Sequence, residues 1–446
     1  MSCINRSRTL LMAFGVLLVA AFGPPVTASA TDSDQLPPNA LATMKPHTGR
    51  PSFGLGAGGG VLGNRFSGAT LGIDSLPNFS SYFYFPGVVP TANGDFPQYT
   101  WQYTMIGRTP VGARDEREGD SAGVTRIRAP IVPVIIDLRN FDGSPRYFIF
   151  PDGTVGPRMI LDPTPYIQTV LKSPLFYPAS FDSSNAPTQF TDAVQRAEFH
   201  DTAGAGWHTL LIPQVATPRT MVLIRGTYRF AVDSQGNLVY VLVDSSAFSA
   251  ALFPPTPNDT STVMGAAEHA GDIRTTDLST FLFPNTFLYE GSPANCCVLG
   301  FHSYDLQPGG AGNGFRERRY VMDFSSWISP GLFGDSFVDI TALSHELAES
   351  FNDPFVNNAT PIWVAPNGLC QNNLETGDVI EGLPNATAPI TMNGFTYHPQ
   401  NEALLQWFAG VKNSSAVDSA YSYPNTAVLT TPAQSFFSDC ATPVNF

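Results

Sequence analysis

The stretch Thr341-Ala-Leu-Ser-His-Glu-Leu-Ala-Glu-Ser-Phe-Asn-Asp-Pro354 decides how the chain is read. Leu343, Leu347, Ala348 and Phe351 recur at helical spacing, and Asp353-Pro354 supplies a stop, so a helix is expected over residues 339–352. On it, His345 and Glu349 stand four residues apart and project from one face about a turn from each other. Glu346 follows the histidine directly. Two ligands one turn apart can close a chelate on a metal ion, and an intervening glutamate can then act as general base toward the attacking water. The bland alternative is an amphipathic helix whose charged side is solvated. Asp353 lies eight residues after His345 but sits at the proline break, where capping the chain reversal is its expected role.

Working outward, short apolar and aromatic runs read as strands: Tyr82 to Phe85, Tyr99 to Ile106, Ile131 to Ile136, Met221 to Arg225, Tyr228 to Val232, Leu238 to Val243, Val298 to Tyr304 and Tyr320 to Phe324. Pro165 to Ser173, Thr188 to His200 and Glu402 to Phe408 read as helices. A strand-rich block followed by the long acidic helix indicates an α+β fold, with a mixed sheet and a β-rich, loop-rich N-terminal extension. The expected divisions are 1–30, 31–75 (a flexible Gly/Pro-rich leader), 76–125 (the β-rich extension) and 126–446 (the α+β domain).

Composition narrows the class. With 43% hydrophobic and 13% charged residues in 446, the chain can bury a large core and is not a disordered polyelectrolyte. Its 37 acids against 23 bases exclude a general nucleic-acid binder, which needs a basic face. Arg6 and Arg8, the apolar run Leu10 to Phe22 and Ala28-Ser29-Ala30 read as a cleavable signal peptide over 1–30, and no other run is long enough to span a bilayer. A secreted or extracellular monomer is expected, periplasmic if the source is bacterial. Export favours disulfides. Adjacent cysteines close only a strained ring, so Cys296 and Cys297 are expected to pair separately with Cys370 and Cys440.

Several stretches in order carry a resemblance: Cys297-Val-Leu-Gly-Phe-His-Ser-Tyr304, Val338-Asp-Ile-Thr-Ala-Leu-Ser-His-Glu-Leu-Ala-Glu349, Asp353-Pro-Phe-Val-Asn357, Glu375-Thr-Gly-Asp378 and Asn393-Gly394. Over about residues 290–410 the chain resembles the zincin-like metallopeptidases, and more closely the plant phosphate-induced (exordium-like) secreted proteins and their bacterial relatives. It departs from that pattern in having Val379-Ile380 where a cysteine follows the acidic pair, with Cys370 upstream instead.

The resemblance implies a zincin-like catalytic domain with one zinc ion, His345 and Glu349 as ligands and Glu346 as base. It takes the third ligand from Asp378 or Glu375. Asp378 is preferred because Gly377 lets the backbone bend a carboxylate inward. An edge strand beside the helix is also implied, and Val298 to Tyr304 is placed to be that strand. His302 could then touch metal or substrate, or else be a buried, hydrogen-bonded structural histidine.

One neutral and two anionic ligands cancel the charge of a divalent ion, which weakens its Lewis acidity and makes calcium or manganese less implausible. Two functions therefore stand. A secreted zinc peptidase-like hydrolase with a peptide or protein substrate leads. A non-catalytic binding or signalling protein with a structural or weak metal site is the alternative.

Overall fold

The apolar run Ile131-Val-Pro-Val-Ile-Ile136 forms the middle of a much longer strand, Val124–Arg139, in the computed structural model of the protein. The structure describes residues 32–47, 72–85, 99–110, 123–181, 186–334 and 336–433. The expected signal peptide, the Gly-rich part of the leader, most of the charged loop after Arg108, and Cys440 lie outside them.

Ile131, Val132, Val134 and Ile136 are all fully buried, as consecutive residues of a strand covered on both faces must be. Val124–Arg139 pairs in parallel with Leu278–Pro284, which pairs in parallel with Glu317–Trp327. His208–Val215 and Arg219–Ile224 join its two halves, also in parallel. Ile160–Leu161 and Gly300–Gln307 run antiparallel to their neighbours. The protein therefore combines helices and strands on a mixed sheet, as expected of the α+β reading, and that main sheet is largely parallel. Parallel neighbours need long connections, and the helices Thr164–Leu171 and Phe190–Glu198 lie in one of them, between Val124–Arg139 and His208–Val215.

The strand Gly300–Gln307, called here the edge strand, pairs among the described residues only with Glu317–Trp327, with His302 opposite Asp323. Against these two strands packs the site helix, Thr341–Asn352. All of its residues are buried, so its charged side is not solvated.

A smaller sheet contains Tyr228–Val232, Leu238–Asp244, Thr286–Tyr289 and Cys296–Val298. Part of the leader is docked on it. The Asp34 carboxylate lies 2.7 Å from Arg225, 3.2 Å from Arg146 and 3.4 Å from Arg229. Leu36 N–H donates to the Phe230 carbonyl, and His47 N–H to the Cys297 carbonyl. The expected flexibility therefore does not extend to residues 34–47.

The aromatic runs expected as strands form a hairpin, Asn78–Phe85 with Tyr99–Ile106. Trp101, Tyr103 and Met105 bury against Trp363, Trp407 and Phe408 from the C-terminal part of the chain. Extension and domain thus share a core, and Val124–Arg139 runs through the expected boundary at residue 125.

The cysteine expectation fails. Cys296 and Cys297 are bridged to each other, not to distant partners. Their peptide is cis, which brings consecutive Cα atoms to 3.0 Å and the two sulfurs within reach. Cys370 is disulfide-bonded, but its partner is neither Cys296 nor Cys297, so both expected pairings fall.

The core below the helices is aromatic: Phe324 has its ring 4.7 Å from Phe248, 5.1 Å from Phe283 and 5.3 Å from Phe301. Phe324→Ala should cost about 3–5 kcal/mol in chemical denaturation. Phe315→Ala, at a ring that is 77% exposed, should stay within about 0.5 kcal/mol.

Glu268, on the helix Val263–Ala270, faces Asp305 and Gln307 of the edge strand. Burial, and then the Asp305 charge, push its pKa up to about 9. Asp305 is itself raised to about 6, chiefly by burial. Carboxyls raised on folding stabilise below their unfolded pKa and lose that contribution as pH rises through the folded one. The wild type should therefore lose stability between about pH 4.5 and 9 relative to Glu268→Gln, with thermal melts of the two converging at the acid end.

Candidate metal centre

The site is assembled from the edge strand, the site helix and the chain segment 371–402. Alternation along the strand sends Gly300, His302 and Tyr304 to one face, toward the helix. Gly300 matters sterically: a Cβ there would stand 2.7 Å from Glu346 Oε1 and 2.8 Å from its Cγ. The missing side chain leaves Glu346 room to lie against the strand.

Glu349 is the hub. Its Oε1 accepts the backbone N–H groups of Gly377 at 3.0 Å and Asp378 at 3.3 Å. Its Oε2 lies 3.1 Å from His345 Nε2 and 3.3 Å from His302 Nδ1. Around it, Glu346 Oε2 is 3.6 Å from His302 Nδ1, Glu375 Oε2 is 3.8 Å from His302 Nε2, and Asp378 Oδ1 is 3.6 Å from His345 Nε2. Separations of about 3.3–3.6 Å are those between ligand atoms sharing one ion at bonds near 2.0–2.2 Å.

Two groups could hold a metal ion: His302, Glu349 and Glu375, and His345, Glu346 and Glu349. In each, the ligand atoms lie within 4.8 Å of one another. Asp378, the preferred third ligand, belongs to neither, and its Oδ2 is engaged by Gln371. The backbone at Gly377 also differs from expectation. Its φ is not in the left-handed range; instead the His345 ring lies against it, and a Cβ would stand 2.5 Å from Cε1 and 2.7 Å from Cγ. Gly377 is needed for close approach rather than for a bend.

The electrostatics favour a cation. Glu346, Glu349, Glu375, Asp378, Glu402 and Asp323 are all buried here, and their ion pairs among the described residues are with His302 and His345. His302 Nε2, both oxygens of Glu346, Glu349 Oε2, Glu375 Oε2 and Asp378 Oδ1 are buried without a hydrogen-bond partner. Such atoms facing one another fit a metal ion.

Burial, then the charges of its neighbours, raises Glu375 to about 8, and burial likewise raises Asp378 and Glu402 far above the usual carboxylate range. Burial also lifts Glu346, partly offset by the two imidazoles. Burial opposes a charge on His302, yet the acids around it win and hold its pKa well up. The acids act on His345 in the same direction against burial. They prevail there too and hold its pKa well up, and the Gln400 amide nitrogen lies 2.9 Å from His345 Nδ1.

Asp353 caps the chain reversal as expected, accepting N–H bonds from Asn357 and Asn358. The structure adds participants that local spacing did not reveal: Asp323, which accepts from Ser350 Oγ at 2.5 Å, Glu402, which accepts from Thr376, and Gln400. Asp323 had a signal, a lone acid in the apolar run Tyr320-Val-Met-Asp-Phe324. His398 bonds Asp339, Tyr397 bonds the Thr169 carbonyl and His208 bonds Asp192, all in structural roles.

Comparisons of the chain with protein-family models, curated proteins and solved structures find no match.

Gly377→Ala should lose about 1–3 kcal/mol, the usual cost of overpacking, because the His345 ring must move. Gly312→Ala, with nothing near its Cβ, should change stability by less than about 0.5 kcal/mol in the same denaturation experiment.

Proposed function

We propose that the protein is a secreted, zinc-dependent hydrolase of the zincin type that acts on peptides, with Glu346 as general base. One observation carries this reading. Glu346 is wholly buried, neither of its oxygens has a hydrogen-bond partner, and it stands among residues able to hold a cation. A carboxylate kept in that state is costly in a helix with a purely structural task. It has a use where a proton must be taken from water during hydrolysis. A zinc ion, when bound, would supply Lewis acidity and lower the pKa of water at the site.

The chain's own residues divide the remaining work. Glu349 anchors the ion, with imidazole from His302 or His345 and carboxylate from Glu375 or Asp378. Gly300 keeps the Glu346 side chain beside His302. The antiparallel edge strand next to the site helix supports the resemblance to zincin-like and exordium-like proteins.

Burial favours a second reading. His345, Glu346 and Glu349 are wholly inaccessible, and His302, Glu375 and Asp378 nearly so. Structural metal sites are closed, whereas catalytic ones keep an open position. A binding or signalling protein with a closed metal centre would have this character.

Paired variants separate these readings. Glu346→Gln should keep fold and metal, measured by elemental analysis, while turnover of a broad peptide library falls about 10²–10⁴-fold. Glu349→Gln should lose metal, because it removes the anionic hub. Full turnover by Glu346→Gln would remove the base from the mechanism. Stoichiometric metal with no turnover in the wild type would select the closed-centre reading.

A further inference from the structure

Five cysteines stand in the chain, at positions 3, 296, 297, 370 and 440. Cys296 and Cys297 satisfy each other, and Cys370 is itself disulfide-bonded. Counting leaves Cys3 and Cys440 as its partners within the chain. Cys3 falls in the stretch read as a signal peptide, which export removes. Position in the fold favours Cys440 as well. The described residues end at Ala433, and Pro432 and Ala433 line one cavity of about 310 Å³ together with Val364, Ala365 and Pro366. Val364 is the strand partner of Cys370. Ala433 is therefore close to Cys370, and the chain from residue 433 to residue 440 can span up to about 23 Å.

Cys370 opens the short strand Cys370–Asn373, which pairs among the described residues only with Ala359–Val364. Gln371 and Asn373, two residues apart, share one face of it. Gln371 Nε2 donates to Asp378 Oδ2, and Asn373 Nδ2 donates to Glu375 Oε1 at 2.9 Å. Each bond holds one oxygen of a carboxylate. The other oxygen, Asp378 Oδ1 or Glu375 Oε2, stays buried beside an imidazole without a hydrogen-bond partner. The strand thus aims both acids at the cluster, yet it belongs to a two-stranded sheet, which is marginal by itself.

We infer that Cys370 is bonded to Cys440, and that this bridge clasps the carboxyl end of the chain onto the strand whose Gln371 and Asn373 orient Asp378 and Glu375. In forming it the two thiols give up two protons and two electrons, and a disulfide of the oxidising compartment takes them up and becomes a dithiol. The bridge fixes the backbone at the residue next to Gln371. It acts through the two amides, so it positions the acids of the cluster and takes no part in the chemistry. The positioning role rests on the reading of the cluster as a cation site; the pairing of the cysteines does not.

Peptide mapping without reduction tests the pairing in the wild type. The full chain is unfolded in the presence of an alkylating agent and cut with trypsin, whose last two peptides are 320–412 and 413–446. They should be recovered as one linked species that reduction separates. An alkylated Cys370, or its recovery linked to residues 1–6 or to the peptide that carries Cys296 and Cys297, would overturn the pairing.

Zinc affinity, measured by competition with a chromophoric chelator, tests the positioning role. Cys370→Ala combined with Cys440→Ala leaves no free thiol from the bridge and should bind zinc about 10–100-fold more weakly, the usual effect of removing a group that orients a metal ligand. Gln371→Ala should do the same with the bridge intact. Adding it to the cysteine changes should lose little more, because both act on Asp378 through one contact. Wild-type affinity in the folded cysteine variant, or fully additive losses, would overturn the positioning role. If the cysteine variant does not fold, Gln371→Ala decides alone, and unchanged zinc binding by it would overturn that role. Failure of the wild type to bind zinc would instead overturn the cation reading itself, while the linked peptides still decide the pairing.

Discussion

Charge that has nowhere to go governs this protein. Six carboxylates and two imidazoles are gathered where water does not reach, and an unpaired ion in such a place costs several kcal/mol even after relaxation. Protons or a cation must make up the difference. The backbone around the site follows from that demand. The loop after Asn373 folds back so that two successive N–H groups reach Glu349 Oε1, and the glutamine and glutamate that flank Asn401 close over His345 and Thr376. The protein itself solvates one oxygen of Glu349 through backbone N–H groups, while the other lies beside two imidazoles without a hydrogen bond.

Much of the local structure was legible in the order of residues, and for a common reason. The site helix, the hairpin Asn78–Phe85 with Tyr99–Ile106, and the strands around residues 131, 230, 240 and 320 are marked by periodicity and by turn residues within a few positions. Partner choice between strands is a long-range matter. Nothing near Leu278 announces that Leu278–Pro284 runs parallel to strands more than a hundred residues earlier and some forty later. The expectation of an α+β fold came from element order, which does not determine that most strands of the main sheet pair in parallel.

The same division applies within the site. His345, Glu346 and Glu349 share one helical turn and can be read together, whereas His302, Glu375 and Asp378 were reached through a pattern of separate stretches. Gln400 could not be reached at all. A glutamine in a loop looks ordinary until folding sets it between a carbonyl and an imidazole from two other segments. Gly377 was singled out for the wrong property, since its importance is visible only when the ring beside it is in place. Adjacent cysteines misled for a different reason: the general cost of closing a small ring says nothing about a peptide bond held cis.

The strap formed by residues 34–47 bears on how the chain would meet exopeptidases. Asp32 is partly exposed and Ser33 exposed, but Asp34 is buried among three guanidinium groups, and the residues after it are tied down by backbone bonds to Phe230 and Cys297. An aminopeptidase trimming inward would remove exposed residues readily and then stall at Asp34, because going further means breaking a buried ion cluster and peeling a segment from the sheet. Material with a ragged amino end would thus converge on one terminus, set by the fold.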